Sequence, residues 1–325
     1  MRVLIIKPSS LGDIICSLPV AQSIRDQLPG AEISWVVKSR FADIVRRCPT
    51  VNGEVLEFEH AAGWRGILAI GKVMRQLRQR QYDAVLDFQG LLRSGLMMSA
   101  ARSPLKVGIA EAREGSRLFC NRIVPLPEAG RNSHAIRKLL QFLPPLGLEP
   151  SLRSPVVMHG DPLEQLDTRL NRRRMVVMIP NSRGVHKEWR GFRELTTALL
   201  QADSGCTIVW DSHLPWESPE VCDADRFVNL TKRTSLPQLI ELLRRADLVI
   251  ANDSGPLHMA AALGRPTLAL FGPTSPERFG AFPPEASRNR FLVAPDGDMT
   301  KLSMERVLEA ALSMLTRETT IRAAA

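Results

Sequence analysis

The chain has 325 residues, 44% hydrophobic and 24% charged, the balance of a soluble globular protein with room for two domains. No apolar run reaches the roughly 18 residues that a membrane-spanning helix needs, and five scattered cysteines without a C-x-x-C pair argue against structural zinc or a disulfide framework. A net charge of +9 favours acidic partners, either phosphorylated substrates or an anionic membrane, although an arginine-rich composition from a GC-rich genome would give the same excess; with one tyrosine and no basic run interleaved with aromatics, nucleic acid is not expected as a partner.

Val3 to Ile6 reads as a first buried strand. Pro8-Ser9-Ser10 ends this run too early for a signal peptide, so a cytoplasmic location is expected. Pro8 to Asp13 is a turn, and Ile14 to Leu28 carries apolar residues at helical spacing (Ile14, Leu18, Ala21, Ile24, Leu28). The rhythm continues with a strand at Ile33–Val37, a helix at Ala42–Arg47, a strand at Val55–Phe58 and a helix ending near Arg80. Ala84–Asp87 is a strand, Gln89-Gly90 a turn, Leu91–Ala101 a helix, and Lys106–Gly108 ends a further strand. Strands alternating with helices imply parallel pairing in a doubly wound sheet. From Gly108 to Asn132 the pattern breaks down, and this long segment carries Arg113, Arg117, Arg122 and Arg131. A helix at Ser133–Phe142 is followed by a proline-rich stretch, Pro144 to Pro150 with Pro155 beyond, that reads as an interdomain linker.

The second half restarts the same series. Strands are expected at Met175–Ile179, Thr207–Trp210, Leu248–Ala251 and Thr267–Phe271, with helices at Phe192–Gln201 and Ser235–Arg245, the latter from a serine cap. A final amphipathic helix spans Leu302–Leu315. After Ala251 comes Asn252-Asp253-Ser254-Gly255-Pro256-Leu257-His258, which enters a small-residue helix with Asp253 or Ser254 as N-cap. The unpaired N–H groups of such a first turn, with the helix dipole behind them, suit a phosphate; plain α/β architecture produces the same pattern.

Neither a G-x-G-x-x-G after Ile6 nor a Walker A sequence is present, which disfavours a nicotinamide dehydrogenase. Asp13 stands at the tip of the first strand, where ligands bind in a doubly wound sheet, and is either a general base or a helix cap. Asn181-Ser182 and Lys187, at the tip of the first strand of the second half, are either a diphosphate grip or a solvated loop. His258, among alanines, reads more simply as a packed histidine, and Cys16 as a core residue.

Together, Leu4–Ile14 with its K-P-S-S-L-G-D sequence, Asp83–Leu91, Lys187-Glu188-Trp189, Asp253–His258 and the Gly272-Pro273-Thr274 turn resemble the lipopolysaccharide heptosyltransferases of glycosyltransferase family 9 over about residues 1 to 315. Within that family the opening is more similar to the heptosyltransferase I type. The resemblance implies a GT-B fold, two Rossmann-like domains facing across a cleft. An acceptor-binding domain is expected over residues 1–150 and a nucleotide-sugar domain over 151–325, with the last helix, about 302–316, packing at the boundary. It implies an inverting transfer from ADP-heptose to a Kdo sugar of lipid A, by a protein peripherally associated with the inner face of the cytoplasmic membrane. Asp13 falls on the catalytic base and Lys187 on the residue that stabilises the leaving group. Asn181, Ser182, Asp253, Ser254, Gly255 and His258 fall on the donor site, and Glu217 is assigned to it more loosely. Ser10, Gly12, Arg65 and Arg113 fall on the acceptor side. No D-x-D element sits where a metal would be needed, so neither metal nor cofactor is expected, a lysine and a helix terminus serving instead. His60-Ala61-Ala62-Gly63 stands where enterobacterial members carry basic residues, and Trp210–Glu217 does not align with the adenine-contacting region. Two other readings are a family 9 transferase with another donor or acceptor, and a non-catalytic basic protein binding anionic lipid or nucleic acid. The joint presence of Asp13, Lys187 and Asp253 speaks against the second of these.

Overall fold

The computed structural model describes residues 1–59, 63–164, 173–182, 184–221, 223–284 and 286–324, with the side chains of 63–65 and 317–324 outside that description. The chain divides into two compact units, Met1–Met158 and His159–Ala325.

In the first unit the order is β1 Arg2–Ile6, α1 Leu11–Gln27, β2 Glu32–Lys38, α2 Ser39–Arg46, β3 Val55–Phe58, α3 Gly63–Arg78, β4 Ala84–Asp87, α4 Leu92–Ala100, β5 Leu105–Ile109, β6 Arg122–Val124 and α5 Ala135–Leu140. The strands form one parallel sheet in the order β3-β2-β1-β4-β5-β6. Apolar runs such as Val3–Ile6 and Ala84–Leu86 are wholly buried, as a parallel sheet covered by helices on both faces requires. One face packs Leu4, Ile6, Val36, Leu56 and Val85 against Val73 and Leu77 of α3 and Met97 and Met98 of α4.

The second unit follows with β7 Arg174–Ile179, α6 Phe192–Ala202, β8 Cys206–Trp210, β9 Phe227–Asn229, α7 Leu236–Arg245, β10 Leu248–Asn252, α8 Gly255–Ala262, β11 Thr267–Phe271, α9 Pro276–Phe279, β12 Asn289–Val293 and α10 Met304–Ala324. Its parallel sheet has the order β12-β11-β10-β7-β8-β9, the same winding as the first. Val307, Ala311, Met314 and Leu315 of α10 close a core built on Val176, Met178, Phe192, Leu195 and Trp210. Trp189 stacks edge-on to Phe192 at 5.3 Å and donates its indole N–H to Leu302 O at 2.8 Å, tying the loop after β7 to the segment before α10. Each sheet reverses its winding direction once, between β1 and β4 and between β7 and β10. The carboxyl ends of those strand pairs are where a doubly wound sheet opens to a ligand.

Four sequence expectations need correction. Helix α1 begins at Leu11, not Ile14, because Ser10 is its N-cap and Leu11-Gly12-Asp13 form its first turn. The irregular stretch from Gly108 to Asn132 contains an edge strand, β6, and two further edge strands, β9 and β12, went unread. The first unit runs to Met158, past the proline-rich stretch, because residues 149–154 are fastened to α1: Gln27 Nε2 donates to Glu149 O (3.0 Å), Ser23 Oγ to Ser151 O (2.5 Å) and Ser154 Oγ to Asp26 Oδ2 (2.6 Å). The last helix starts at Met304, two residues later than its periodicity suggests.

Candidate active site

At the tip of β1, Lys7 is buried and donates its ammonium to Phe88 O at 3.1 Å, spanning the two strands where the first sheet reverses. Burial lowers its pKa, opposed by the nearby carboxylates of Asp13 and Asp87. Asp87 itself is pushed up by burial; backbone N–H bonds from Gly90 and Gln89 and a hydroxyl bond from Ser94 oppose that shift. These three donors shape the turn from β4 into α4. Gly90 sits there at φ +66°, and a Cβ on it would lie 3.1 Å from Ala112 Cβ. That close approach lets Arg113 N–H donate to Gly90 O at 2.8 Å, so the exposed Arg113 stands beside the β4 turn.

Asp13 is at position N3 of α1 and is exposed. Its Oδ2 accepts from Ser10 N–H at 2.9 Å and from Ser10 Oγ at 2.8 Å, as the acid of a capping box does. The cap is therefore Ser10, which corrects Asp13 as the capping residue. Asp13 Oδ1 carries no hydrogen bond among the described residues, so one oxygen is anchored and the other is open. Gly12 lies in the same turn, half-buried. Arg65 is in α3, and its side chain lies outside the described residues.

In the second unit, Lys187 Nζ donates to Asp253 Oδ2 at 2.8 Å, joining the loop after β7 to the end of β10. Thr274, at the tip of β11, donates its hydroxyl to the same oxygen at 2.9 Å. Asp253 Oδ1 has no donor among the described residues. Ser182 Oγ donates to Asp253 O at 3.2 Å. Ser254 caps α8, yet its Oγ is buried with no hydrogen-bond partner among the described residues. Gly255 and Leu257 begin that helix, and their N–H groups belong to the first turn, which has no intrahelical acceptors; Pro256 has none to offer. His258 follows one residue later, half-buried.

Asn181 and Ser182 are buried and serve the loop itself. Asn181 Nδ2 and Ser182 N–H both donate to Glu188 Oε1, at 3.2 and 2.9 Å, and Ser212 Oγ bonds Asn181 Oδ1. Glu217, 88% exposed, pairs with Arg193 of α6 at 3.0 Å and makes no described bond to the Lys187 cluster. Sequence reasoning missed Thr274 and Glu188 as members of the site. Their signal was membership of two short motifs: Thr274 closes the Gly272-Pro273-Thr274 turn that follows β11, a core strand next to β10, and Glu188 adjoins Lys187.

Asn252 holds the frame. Fully buried, it accepts from Trp189 N–H at 3.1 Å and donates to Pro180 O at 2.7 Å. Replacing it by leucine leaves two buried backbone groups unpaired, a loss of about 1–3 kcal/mol for each. Urea unfolding of Asn252→Leu is the check, and wild-type stability would mean that water replaces both bonds.

The two assemblies offer different chemistry. The first presents an open carboxylate oxygen and an arginine, suited to taking a proton from a polar acceptor. The second presents an ammonium, a helix N-terminus and an open carboxylate oxygen, suited to a diphosphate with a sugar attached. Residues 70–311 match the family described as Glycosyltransferase family 9 (heptosyltransferase). The chain is similar to lipopolysaccharide heptosyltransferase 1 of Escherichia coli K12, 29% identical over 336 residues, covering 97% of this chain and all (100%) of that protein. It is similar in structure to E. coli heptosyltransferase WaaC with ADP, at 26% identity and a TM-score of 0.75, covering 97% of this chain and 100% of that one. With ADP-2-deoxy-2-fluoro heptose bound to WaaC the values are 25% and 0.74, covering 96% and 99%.

Proposed function

The chain belongs to glycosyltransferase family 9, and we propose that it is an inverting heptosyltransferase of the lipopolysaccharide inner core, moving a heptose from ADP-heptose to a Kdo sugar of lipid A. The observation that carries the reading is the cluster of Lys187, Asp253, Thr274 and Ser254 at the switch point of the second sheet. An ammonium has three donors, and Asp253 takes one, which leaves two for a diphosphate. Gly255 and Leu257 N–H add a helix terminus to the same anion, and Ser254 Oγ is available to it. Asp253 Oδ1 is left for a hydroxyl of the donor sugar.

In an inverting transfer the acceptor oxygen attacks the anomeric carbon in line with the departing diphosphate. The new C–O bond forms as the bond to the β-phosphate oxygen breaks, and the electron pair leaves with ADP. We assign the acceptor's proton to the open Oδ1 of Asp13, held in place through Oδ2 by Ser10. Lys187 and the α8 terminus offset the charge that grows on ADP. Arg113, with Ser10, Gly12 and Arg65, is assigned to the acceptor. A lipid-linked acceptor puts the reaction at the inner membrane face, where a chain of net charge +9 would associate peripherally. No helix among the described residues is long and apolar enough to cross a membrane.

A thermal-shift panel tests the donor. ADP-heptose at about 100 times its Kd should stabilise the protein by roughly 2.7 kcal/mol, a rise of several degrees in Tm, because it binds only the folded state. UDP- and GDP-sugars at the same concentration should leave Tm unmoved. A shift with UDP- or GDP-sugars instead would redirect the reading to another donor.

A further inference from the structure

The first unit contains a groove of about 410 Å³ beside the Asp13 loop, walled by Pro8 and Ser9 from the tip of β1, Lys38 from the end of β2, Gln89 from the β4 turn, and Arg93 and Leu96 from α4. Three features of it are not used above. The Lys38 ammonium has no acidic partner among the described residues. Its pKa is lowered by burial first and then by the Arg40 and Arg93 guanidiniums, so it lies among cations. Gln89 Oε1 is buried and has no hydrogen-bond partner among the described residues. The one carboxylate in the wall, Glu114, accepts from Leu92 N–H at the start of α4 at 3.1 Å, which directs one oxygen to the helix end. With Lys38 and Arg93 against the single carboxylate of Glu114, the wall carries an excess of positive charge, which favours an anion, and an unpartnered amide oxygen favours a hydroxyl.

We propose that this groove seats an anionic, hydroxyl-bearing part of the acceptor, a sugar carboxylate or sugar phosphate, with Lys38 and Arg93 gripping the anion and Gln89 Oε1 accepting from a neighbouring hydroxyl. The proposal rests on the glycosyltransferase reading for its choice of a sugar. It supplies the acceptor face with basic groups that the stretch from His60 to Gly63 does not carry. Ser9 in the groove wall adjoins Ser10, which anchors Asp13, so an acceptor held by its anion here would be held next to the base. Arg93 is planar and forked and suits a carboxylate or phosphate edge, whereas Lys38 acts as a point charge.

Binding, not turnover, is the primary readout, so the test does not depend on the donor assignment. The full-length protein is titrated calorimetrically with the methyl glycoside of Kdo, with its carboxyl methyl ester and with a 4-phosphorylated Kdo glycoside. Lys38→Ala should weaken binding of the acid about 10-fold, the scale of one hydrogen bond to a charged group, and Lys38→Glu should weaken it further. Gln89→Leu should weaken acid and ester alike. If the ester binds wild type and Lys38→Ala equally, the groove reads the carboxylate. If only the phosphorylated glycoside separates the two proteins, it reads a phosphate. Equal binding of all three compounds by wild type and by Lys38→Ala and Lys38→Glu, with melting temperatures unchanged, overturns the proposal. In that case transfer from ADP-heptose by the same Lys38 variants would leave the glycosyltransferase reading standing. Conversely, failure of wild type to use ADP-heptose, with Lys38-dependent binding of the acid retained, would remove that reading and keep the groove.

Discussion

Asp13→Asn should fold, bind ADP as wild type does and lose roughly 10²–10⁴-fold in turnover, the usual contribution of a positioned general base. The geometry separates its two roles. Through Oδ2 the carboxylate accepts the N–H and hydroxyl of Ser10, closing the capping box of α1. Asparagine keeps one amide oxygen for that purpose, so the helix start should survive with little change in Tm. The open Oδ1 is what the substitution removes as a proton acceptor, because an amide cannot take the acceptor's proton. The diphosphate contacts assigned above all belong to the second unit, so ADP affinity should be unmoved. Asp13→Ala is the useful contrast: it should match the loss in turnover and add a stability loss of about 1 kcal/mol from the broken capping box. Turnover and melting temperature measured on the same preparations decide the matter. Near wild-type turnover in Asp13→Asn would confine the residue to capping and place the base elsewhere.

The same residue shows why the sequence was readable in some places and not in others. Val3–Ile6, Val176–Ile179 and Leu248–Ala251 are central parallel strands, buried on both faces, and so appear as unbroken apolar runs. Strand β6 is three residues with two exposed, and β12 alternates in exposure, so neither has enough apolar signal to stand out from a loop. The first turn of α1, Leu11-Gly12-Asp13, is only partly buried, which is why apolar periodicity placed the start three residues late. Asp13, Lys187 and Asp253 were visible as polar residues at the ends of apolar strands, although at Asp13 the cap and the base were not separable without seeing which oxygen is engaged. Thr274 was visible only as part of a Gly-Pro-Thr turn, since the carboxylate it bonds lies 21 residues earlier in the chain. The Lys38, Gln89 and Arg93 groove was not legible at all. Its walls come from the tips of β1, β2 and β4, from α3 and α4, and from the segment after β5, and no local spacing announces them.

Lys187→Ala should weaken ADP binding about 10- to 100-fold, the range for charge-assisted hydrogen bonds to a phosphate. It should lower kcat further, and for a separable reason. The ammonium meets a diphosphate that is already charged in the ground state, and that part of its effect appears as affinity. As the glycosidic bond breaks, more charge moves onto the bridging oxygen of ADP, and an interaction that strengthens there appears in kcat. Stability should change little, because Lys187 is 27% exposed and its bond to Asp253 is one of two that the Oδ2 atom accepts, the other coming from Thr274. The freed Asp253 oxygen would then repel the diphosphate, so the loss combines a missing donor with an uncompensated acid. Lys187→Met keeps the length of the side chain without the charge, and should match alanine if charge, not packing, is the cause. Calorimetric titration with ADP and single-turnover transfer from ADP-heptose give the two numbers, and the acceptor KM should stay at its wild-type value. Unchanged ADP affinity together with unchanged turnover would remove Lys187 from the donor site and leave it a surface partner of Asp253. A fall in affinity with kcat intact would keep it as a binding residue and assign the leaving-group charge to the α8 terminus alone.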